Sequence, residues 1–415
     1  MTGTDDDDLD LEGLMSLPFK QKKRWFLKKL AAIAIPFTQS LYKVRVRRTH
    51  VLEDSIDILT CHHIDTQSKE HLNIHFVGEP ALDAGGVLRE WFGLVSEGLF
   101  SADRGVFTTT NGENASYWIN PNSRQALGSD HLTYFLFAGR FIGRAILEGL
   151  VFDVHLSLPL LKHLLGVPIT FSDLEFLDEE LYKSCLWMRE NDGVDVLCVT
   201  FSVQASENDP DTIVDLKPGG RDIDVTDENK LEYLALVLKY RMLDSVAEQL
   251  GALLTGLYEI VPKHLLAVFD YQELDFFLCG LPTINVKDWE TQSRIRHFAQ
   301  ETDTSARDKE RKVVSWFWDV VSNRFNDEER ARLLQFATGS SRVPVEGFKA
   351  LTSASGYVHK FTLQLVPRGV PPLGLCPRAH TCFNRIDLPL YQSKDELETY
   401  LTLVIQMEIT GFGFE

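Results

Sequence analysis

A polar segment near the end of the chain limits what the chain can fold into. Residues 300–306 (QETDTSA) lack large apolar side chains and lie between two helical patterns. Such a segment predicts a domain boundary, which we set near residue 303, with a hinge at 303–307. About 110 residues follow it, enough for one small α/β unit. Because a chain of 415 residues is too long for one comfortable core, we expect two or three domains.

The part of the chain before this boundary is predicted to be mainly helical with one β-rich insertion. Val196–Val203 is strongly β-prone, and turn signals separate it from Thr212–Leu216 and Ile223–Val225. Helical periodicity resumes at Lys230. We therefore predict a three-stranded meander in a separable subdomain at about 168–257. The predicted fold class is α+β.

The C-terminal part shows both helix and strand signals. Asn326 with Glu329, and Ser393 with Glu396, have the spacing of capping boxes that begin helices. Lys360–Val366 has the pattern of a strand. Residues 308–415 are thus predicted to form the small α/β unit.

The N-terminal residues divide into an acidic and a basic part. Residues 1–18, which include an aspartate run, predict a disordered lead-in and are unlike a signal peptide. Residues 19–44 predict a basic amphipathic helix that is broken at Pro36. We interpret this helix as a packing helix whose lysines extend to solvent. A membrane-surface or nuclear-targeting role is the alternative.

Charge and apolar patterning exclude two classes of partner. The net charge of −18 argues against nucleic-acid binding, which relies on lysine and arginine, and suits a partner with a basic face. The longest apolar stretch, Leu132–Phe152, carries Arg140, Arg144 and Glu148 at four-residue steps. We therefore predict a core helix with one solvent-exposed face, and no transmembrane segment.

No cofactor or metal site is predicted. Gly85 and Gly86 precede a helix but lack the spacing of a dinucleotide-binding or phosphate-binding loop. The six cysteines have no paired spacing, which indicates a reduced intracellular protein. The cytoplasm is the predicted compartment, with the nucleus as an alternative.

Cys382 is the most distinctive candidate for chemistry. It stands between Thr381 and Phe383, two residues after His380, in a segment flanked by prolines. This context predicts a presented cysteine, and an adjacent imidazole can increase the population or reactivity of the thiolate.

Three other interpretations of this cysteine stay open at this point. It could be structural, as most cysteines in turns are. A zinc site would use Cys376, His380 and Cys382, but no fourth ligand lies nearby in the sequence. A papain-like hydrolase would need a histidine from a distant part of the chain, and the local signature of that family is missing.

The sequence around Cys382 resembles the C-terminal lobe of HECT-type ubiquitin ligases. The resemblance extends from about residue 45 to the end of the chain, and HTCFN at 380–384 with LPLY at 388–391 is its most specific part. Further matching strings in the larger lobe are LDAGGVLREW at 82–91, INPNS at 119–123, FAGR at 137–140, and ELD at 273–275 with CG at 279–280. In the smaller lobe they are WFW at 316–318, LQFATGSSRVP at 334–344 and GF at 347–348.

The resemblance implies a bilobal fold and a two-step transfer. A large N-lobe at 45–302 would dock a charged ubiquitin-conjugating enzyme, and a catalytic C-lobe at 308–415 would swing on the hinge. Cys382 would take ubiquitin as a thioester and pass it to a lysine of a protein substrate. The supporting residues implied by the resemblance are His380, Asp387, Phe412 and Glu415.

The resemblance also implies two binding surfaces on the N-lobe. The conjugating enzyme would bind at Leu186, Trp187, Leu197 and Leu250 of the inserted subdomain. Ubiquitin would bind around Leu99, Phe100 and Tyr117. The rival interpretations are a catalytically silent ubiquitin-binding scaffold of the same fold and a cysteine hydrolase that acts on ubiquitin conjugates.

Overall fold

The computed structural model describes two compact units, which divide after Gly280. It describes residues 11–36, 39–60, 70–79, 86–110, 116–152, 154–206, 209–280, 282–300, 302–338, 341, 343, 347–351, 358–371, 373–380 and 383–407. Both units combine helices with small sheets. The predicted α+β class is therefore confirmed.

The first unit is mainly helical. Among the residues that the structure describes here, strands form three two-stranded sheets. β1 (Leu41–Val46) pairs with β2 (His71–Phe76) in parallel, and β3 (Phe107–Thr109) pairs with β4 (Tyr117–Ile119) and β5 (Ser202–Ser206) with β6 (Asp209–Asp215) in the antiparallel sense. Its helices are α1 (Leu11–Met15), α2 (Phe19–Ile33), α3 (Val51–Thr60), α4 (Gly86–Phe100), α5 (Ser123–Leu127), α6 (His131–Glu148), α7 (Leu158–Leu165), α8 (Glu179–Glu190), α9 (Lys230–Met242), α10 (Ala247–Ile260), α11 (Lys263–Leu266) and α12 (Tyr271–Cys279).

Helices α6 and α10 form the centre of this unit because glycines let their backbones touch. A Cβ atom added at Gly139 of α6 would lie 1.9 Å from the carbonyl oxygen of Leu253. One added at Gly256 of α10 would lie 2.1 Å from the carbonyl oxygen of Leu136. Neither position has room for any side chain, so the approach of the two helices requires glycine at both.

The prediction that one face of α6 is exposed to solvent is wrong. Arg140 and Arg144 are only 6% and 3% exposed. Arg140 Nε donates to a carboxylate oxygen of Glu259 at 2.8 Å, and both guanidinium groups donate to main-chain carbonyls. The charges are satisfied inside the unit, because buried charges need partners. Among the described helices, none is both long and apolar enough to cross a membrane.

Helix α2 packs on the first unit, as its interpretation as a packing helix predicts. Phe26 is fully buried, with its ring 5.1 Å from that of Phe269. Lys22 Nζ lies 2.9 Å from a carboxylate oxygen of Glu273, and both side chains are at most 5% exposed. The prediction that the lysines extend to solvent is therefore wrong for Lys22, whose charge is paired inside the unit. The helix ends at Ile33 rather than near residue 44. Pro36 disfavours helical backbone at the preceding residue, Ile35, so the helix cannot continue through it.

The inserted subdomain has its own core but only two paired strands among its described residues. β5 begins at Ser202, whereas residues 194–197 form a 3₁₀ turn that ends at Cys198 with a φ of 52°. The third predicted strand is a single bridge between Thr200 and Asp224. The left-handed backbone at Cys198 interrupts the β-prone run that predicts a longer strand.

The second unit is a four-stranded sheet packed against helices. The sheet order is β7 (Arg294–Arg296), β8 (Thr362–Val366), β10 (Arg385–Pro389) and β9 (Arg378–His380), with β8 parallel to both β7 and β10, and β9 antiparallel. The helices are α13 (Val286–Gln292), α14 (Thr304–Asn323), α15 (Asp327–Thr338) and α16 (Lys394–Met407). Leu363, Leu365, Ile386 and Leu388 are fully buried in the sheet.

The segment predicted as the hinge is the start of a helix. Asp303 caps α14 by accepting a hydrogen bond from the main-chain N–H of Ala306 at 3.0 Å. The preceding residues belong to the second unit, where the buried Glu310 carboxylate accepts hydrogen bonds from the main-chain N–H groups of Phe298 and Ala299 and from His297. The polarity that indicates a linker here comes from helix capping. A hinge at 303–307 stays a prediction.

The contact between α6 and α10 predicts opposite effects at two glycines of one helix. Gly256→Ala forces a methyl group into the backbone of α6, and we expect the free energy of unfolding to fall by about 1–3 kcal/mol. Gly251→Ala, also in α10, meets open space and should raise it by about 0.5–1 kcal/mol. Urea unfolding followed by circular dichroism measures both. Equal effects of the two substitutions would contradict the account of the helix contact.

Candidate active site

The predicted reactive segment connects two strands of the second unit. β9 and β10 pair antiparallel with His380 opposite Arg385. Thr381 and Cys382 lie outside the described residues, as do Phe412 and Glu415, so the roles of these residues stay predictions. The described neighbours of Cys382 face solvent: the His380 side chain is 38% exposed and Phe383 is 53% exposed.

The structure pairs two of the predicted supporting residues. His380 Nε2 lies 2.9 Å from Asp387 Oδ2, and the imidazole N–H donates because an ionised carboxylate only accepts. The antiparallel register brings the two side chains together across the hairpin. Arg385 Nε lies 3.0 Å from the other oxygen of Asp387 without forming a hydrogen bond with it. The carboxylate thus orients the imidazole and is partly balanced by a guanidinium.

Asn384 anchors the connection to the neighbouring strand. Its backbone is left-handed, with a φ of 45°, which asparagine tolerates better than most residues do. Its side-chain Nδ2 donates to the main-chain carbonyl oxygen of His359 at 2.7 Å. The main-chain carbonyl oxygen of Asn384 accepts a hydrogen bond from the main-chain N–H of Thr362 at 2.9 Å. Asn384 has no role among the site residues predicted from the sequence. An asparagine directly before a strand is the signal that indicates this turn.

The two cysteines that are buried in the described part of the chain, Cys185 and Cys376, are poor nucleophiles. Burial raises the pKa of Cys376, although the nearby Arg378 opposes the shift. Burial also raises the pKa of Cys185 to about 11. Because the thiolate is the reactive form, neither group competes as a nucleophile near neutral pH. Cys198, in the inserted subdomain, is exposed.

The residues predicted to bind the conjugating enzyme divide between surface and core. Trp187 and Leu197 are 45% and 41% exposed, and Leu186 beside them is half-buried. The 3₁₀ turn also exposes Val196, at 78%. The prediction that Leu250 binds the conjugating enzyme is wrong, because this residue is only 4% exposed on α10 and packs in the core. Large exposed apolar side chains in one subdomain indicate a contact surface.

The residues predicted to bind ubiquitin are also divided. The prediction that Leu99 binds ubiquitin is also wrong, because this residue is fully buried and offers no surface to a partner. Phe100 is also buried, at only 3% exposed, whereas Tyr117 is half-buried. Both line a cavity of about 920 Å³ in the first unit, and their rings meet edge to face at 5.0 Å. Arg89 and Glu97 line the same cavity.

The left-handed turn at Asn384 predicts a graded effect of two substitutions. Asn384→Ala combines backbone strain with the loss of the partly buried hydrogen bond to His359, and we expect the free energy of unfolding to fall by about 2–3 kcal/mol. Asn384→Gly keeps the backbone conformation and should cost less. Urea unfolding of both variants tests the order. If glycine destabilises as much as alanine does, the left-handed conformation is not the reason for asparagine here.

Comparison with known proteins identifies the family. The sequence model of the HECT domain (ubiquitin-transferase) matches residues 93–415. The chain is 37% identical over 398 residues to E3 ubiquitin-protein ligase ptr1 of Schizosaccharomyces pombe, covering 96% of this chain and 12% of that protein. It is 38% identical over 409 residues to UPL1 of Arabidopsis thaliana, covering 96% and 10%. It is 39% identical over 375 residues to Smurf1 of Drosophila melanogaster, covering 90% and 34%.

The chain thus spans about a tenth of the length of ptr1 and UPL1 and about a third of that of Smurf1. All three relatives are E3 ubiquitin-protein ligases by name. The match extends over both compact units and includes the hairpin with the His380–Asp387 pair. The resemblance seen in the sequence is confirmed: the chain belongs to the HECT-domain (ubiquitin-transferase) family.

Proposed function

We propose that the chain is a HECT-type ubiquitin-protein transferase with Cys382 as its acceptor. The observation that most supports this is the family match over a segment in which a hydrogen-bonded His380–Asp387 pair flanks the cysteine in the sequence. The partners of this activity are ubiquitin, a ubiquitin-conjugating enzyme and protein substrates with accessible lysines.

The first step exchanges one thioester for another. The Cys382 thiolate attacks the carbonyl carbon that joins ubiquitin to the cysteine of the conjugating enzyme. A new C–S bond forms, the old C–S bond breaks, and the cysteine of the conjugating enzyme leaves as a thiolate that takes up a proton. Because one thioester replaces another, the exchange is close to balanced, and the geometry of approach controls its rate.

The second step passes ubiquitin to an amine. A neutral lysine amine attacks the Cys382 thioester, a C–N bond forms, and the C–S bond breaks to return the thiolate. Free lysine has a pKa near 10.4, so its ammonium form dominates near neutral pH and a proton must leave. The Asp387 carboxylate, oriented against His380 at 2.9 Å, is the group we assign to attract and deprotonate the amine.

Two surfaces of the first unit would hold the protein partners. The exposed Trp187 and Leu197, with the half-buried Leu186, are proposed to bind the conjugating enzyme. The cavity with Phe100 and Tyr117 is proposed to bind ubiquitin. One sulfur must meet two partners in turn, and a connection that lets the two units move would serve both meetings.

The direct test is formation of a thioester. The full chain is mixed with activating enzyme, conjugating enzyme, ubiquitin and ATP, and gels are run with and without reductant. We expect a ubiquitin adduct that reductant removes and that Cys382→Ala abolishes, while Cys382→Ser forms an adduct resistant to reductant. No adduct with any conjugating enzyme would favour the silent scaffold. Loss of ubiquitin conjugates without ATP would favour the hydrolase.

The assigned role of Asp387 predicts that only the second step depends on it. Asp387→Asn should load from the conjugating enzyme at nearly the normal rate but discharge to free lysine about 10²-fold more slowly. Single-turnover assays separate the two steps. Asp395→Asn removes an exposed carboxylate of the same unit and should change neither. Equal slowing of both steps by Asp387→Asn would mean that the carboxylate only holds the hairpin together.

A further inference from the structure

Three different donor side chains converge in the first unit, away from the proposed transferase site. Asp275 and Cys279 lie one turn apart on α12, and His155 approaches from the segment that follows Phe152. His155 Nδ1 is 2.8 Å from Asp275 Oδ1, and Cys279 Sγ is 3.5 Å from the same oxygen. All three donor atoms lie within 4.8 Å of one another.

The main chain holds this arrangement in place. The N–H of Phe152 donates to the carbonyl oxygen of Leu278 at 2.8 Å, which ties the segment to α12. The Cys279 thiol donates to the carbonyl oxygen of Val154 at 3.3 Å. The three donor side chains therefore come from two backbone segments with fixed relative positions, as a ligand set must.

The surroundings of Asp275 favour a cation. The residue is 8% exposed, and its carboxylate oxygens face the imidazole of His155 and the thiol of Cys279. Among the described residues, no lysine or arginine forms an ion pair with it. His155 forms the ion pair with Asp275 and balances its charge only when the imidazole is protonated. A bound metal ion would balance the buried carboxylate in either state of the imidazole.

We propose that His155, Asp275 and Cys279 form a binding site for Zn²⁺. Zinc takes histidine nitrogen, carboxylate oxygen and thiolate sulfur together, whereas Mg²⁺ and Ca²⁺ prefer oxygen alone. Ligand atoms on a tetrahedral zinc ion are about 3.3 Å apart or slightly more. The 2.8 Å contact between His155 and Asp275 would open slightly to admit the ion. The carbonyl of Val154 or a water molecule would supply the fourth ligand.

Zinc binding would change the protonation of two of the three ligands. The thiol proton of Cys279 leaves to solvent as the Zn–S bond forms. The proton on His155 Nδ1 moves to Nε2, so that Nδ1 can coordinate the ion. Zinc binding should therefore release at least one proton.

The position of the site suggests what the metal would do. Val154 lines the cavity that also contains Tyr117, and the carbonyl oxygen of His155 accepts from the main-chain N–H of Tyr117 at 2.8 Å. A metal ion on His155 would fix this wall of the cavity to α12. The proposal concerns metal binding and does not rest on the transferase activity.

Cobalt provides a test, since Co²⁺ bound to a thiolate gives a charge-transfer band in the near ultraviolet. The full chain carries Cys382→Ala, so that the proposed catalytic thiol cannot contribute. We expect Co²⁺ to give this band with the visible spectrum of a tetrahedral ion, and Zn²⁺ to abolish both by displacement. Cys279→Ser should remove the charge-transfer band. Cys198→Ser, which removes an exposed thiol, should leave it unchanged.

His155→Gln provides a second arm that keeps the thiol. It should weaken the zinc affinity, measured by competition with a chromophoric chelator, at least about tenfold. Circular dichroism shows whether each variant folds, and if Cys279→Ser does not fold, the His155→Gln affinity decides. Absence of a thiolate band in the Cys382→Ala chain, its persistence in folded Cys279→Ser, or an unchanged affinity in His155→Gln would each overturn the proposal.

Discussion

Strand β10 pairs on both of its edges, in parallel with β8 and antiparallel with β9. This double pairing is the constraint on which the proposed site depends. It fixes the register between His380 and Asp387 and attaches the residue that follows Phe383 to β8 through Thr362. The buried apolar side chains of β8 and β10 hold the pairing against the helices. The sheet thus sets the geometry of His380 and Asp387 at the proposed site.

The first unit is held together by helix packing rather than by strand pairing. Its centre depends on main-chain contact between α6 and α10, where glycines permit a distance that no side chain allows. The arginines of α6 are buried and satisfied by carboxylate and carbonyl oxygens. Helix α2 then closes the unit with aromatic packing and the buried pair between Lys22 and Glu273. A rigid core of this kind leaves the inserted subdomain to present exposed apolar side chains.

Local signals predict much of the second unit. The capping box at Asn326 and Glu329 forms both of its hydrogen bonds, and the strand predicted at 360–366 is β8. At Ser393 the box is half formed, because Glu396 accepts from Gln392 and Arg368 instead. Such contacts depend on one or two neighbours in the sequence, so a pattern can indicate them.

Tertiary partners explain what the sequence does not predict. The charges of α6 look solvent-exposed until Glu259, which is distant in the sequence, lies beside Arg140. The polar run before α14 includes the helix cap at Asp303. Capping residues and loop residues have the same composition, so composition alone does not separate the two. Leu99 and Leu250 are in the core because the opposing helices cover them, which spacing alone cannot indicate. The His155–Asp275–Cys279 cluster joins residues that are more than a hundred positions apart.

The most direct test of the central claim is to find where ubiquitin is attached. The chain is charged with ubiquitin, quenched in acid without reductant and digested with trypsin, which should release the peptide from Ala379 to Arg385. We predict a diglycine remnant of ubiquitin on Cys382 in this peptide, lost on treatment with reductant. A remnant on another cysteine, or none on this peptide while the conjugating enzyme stays charged, would contradict the account.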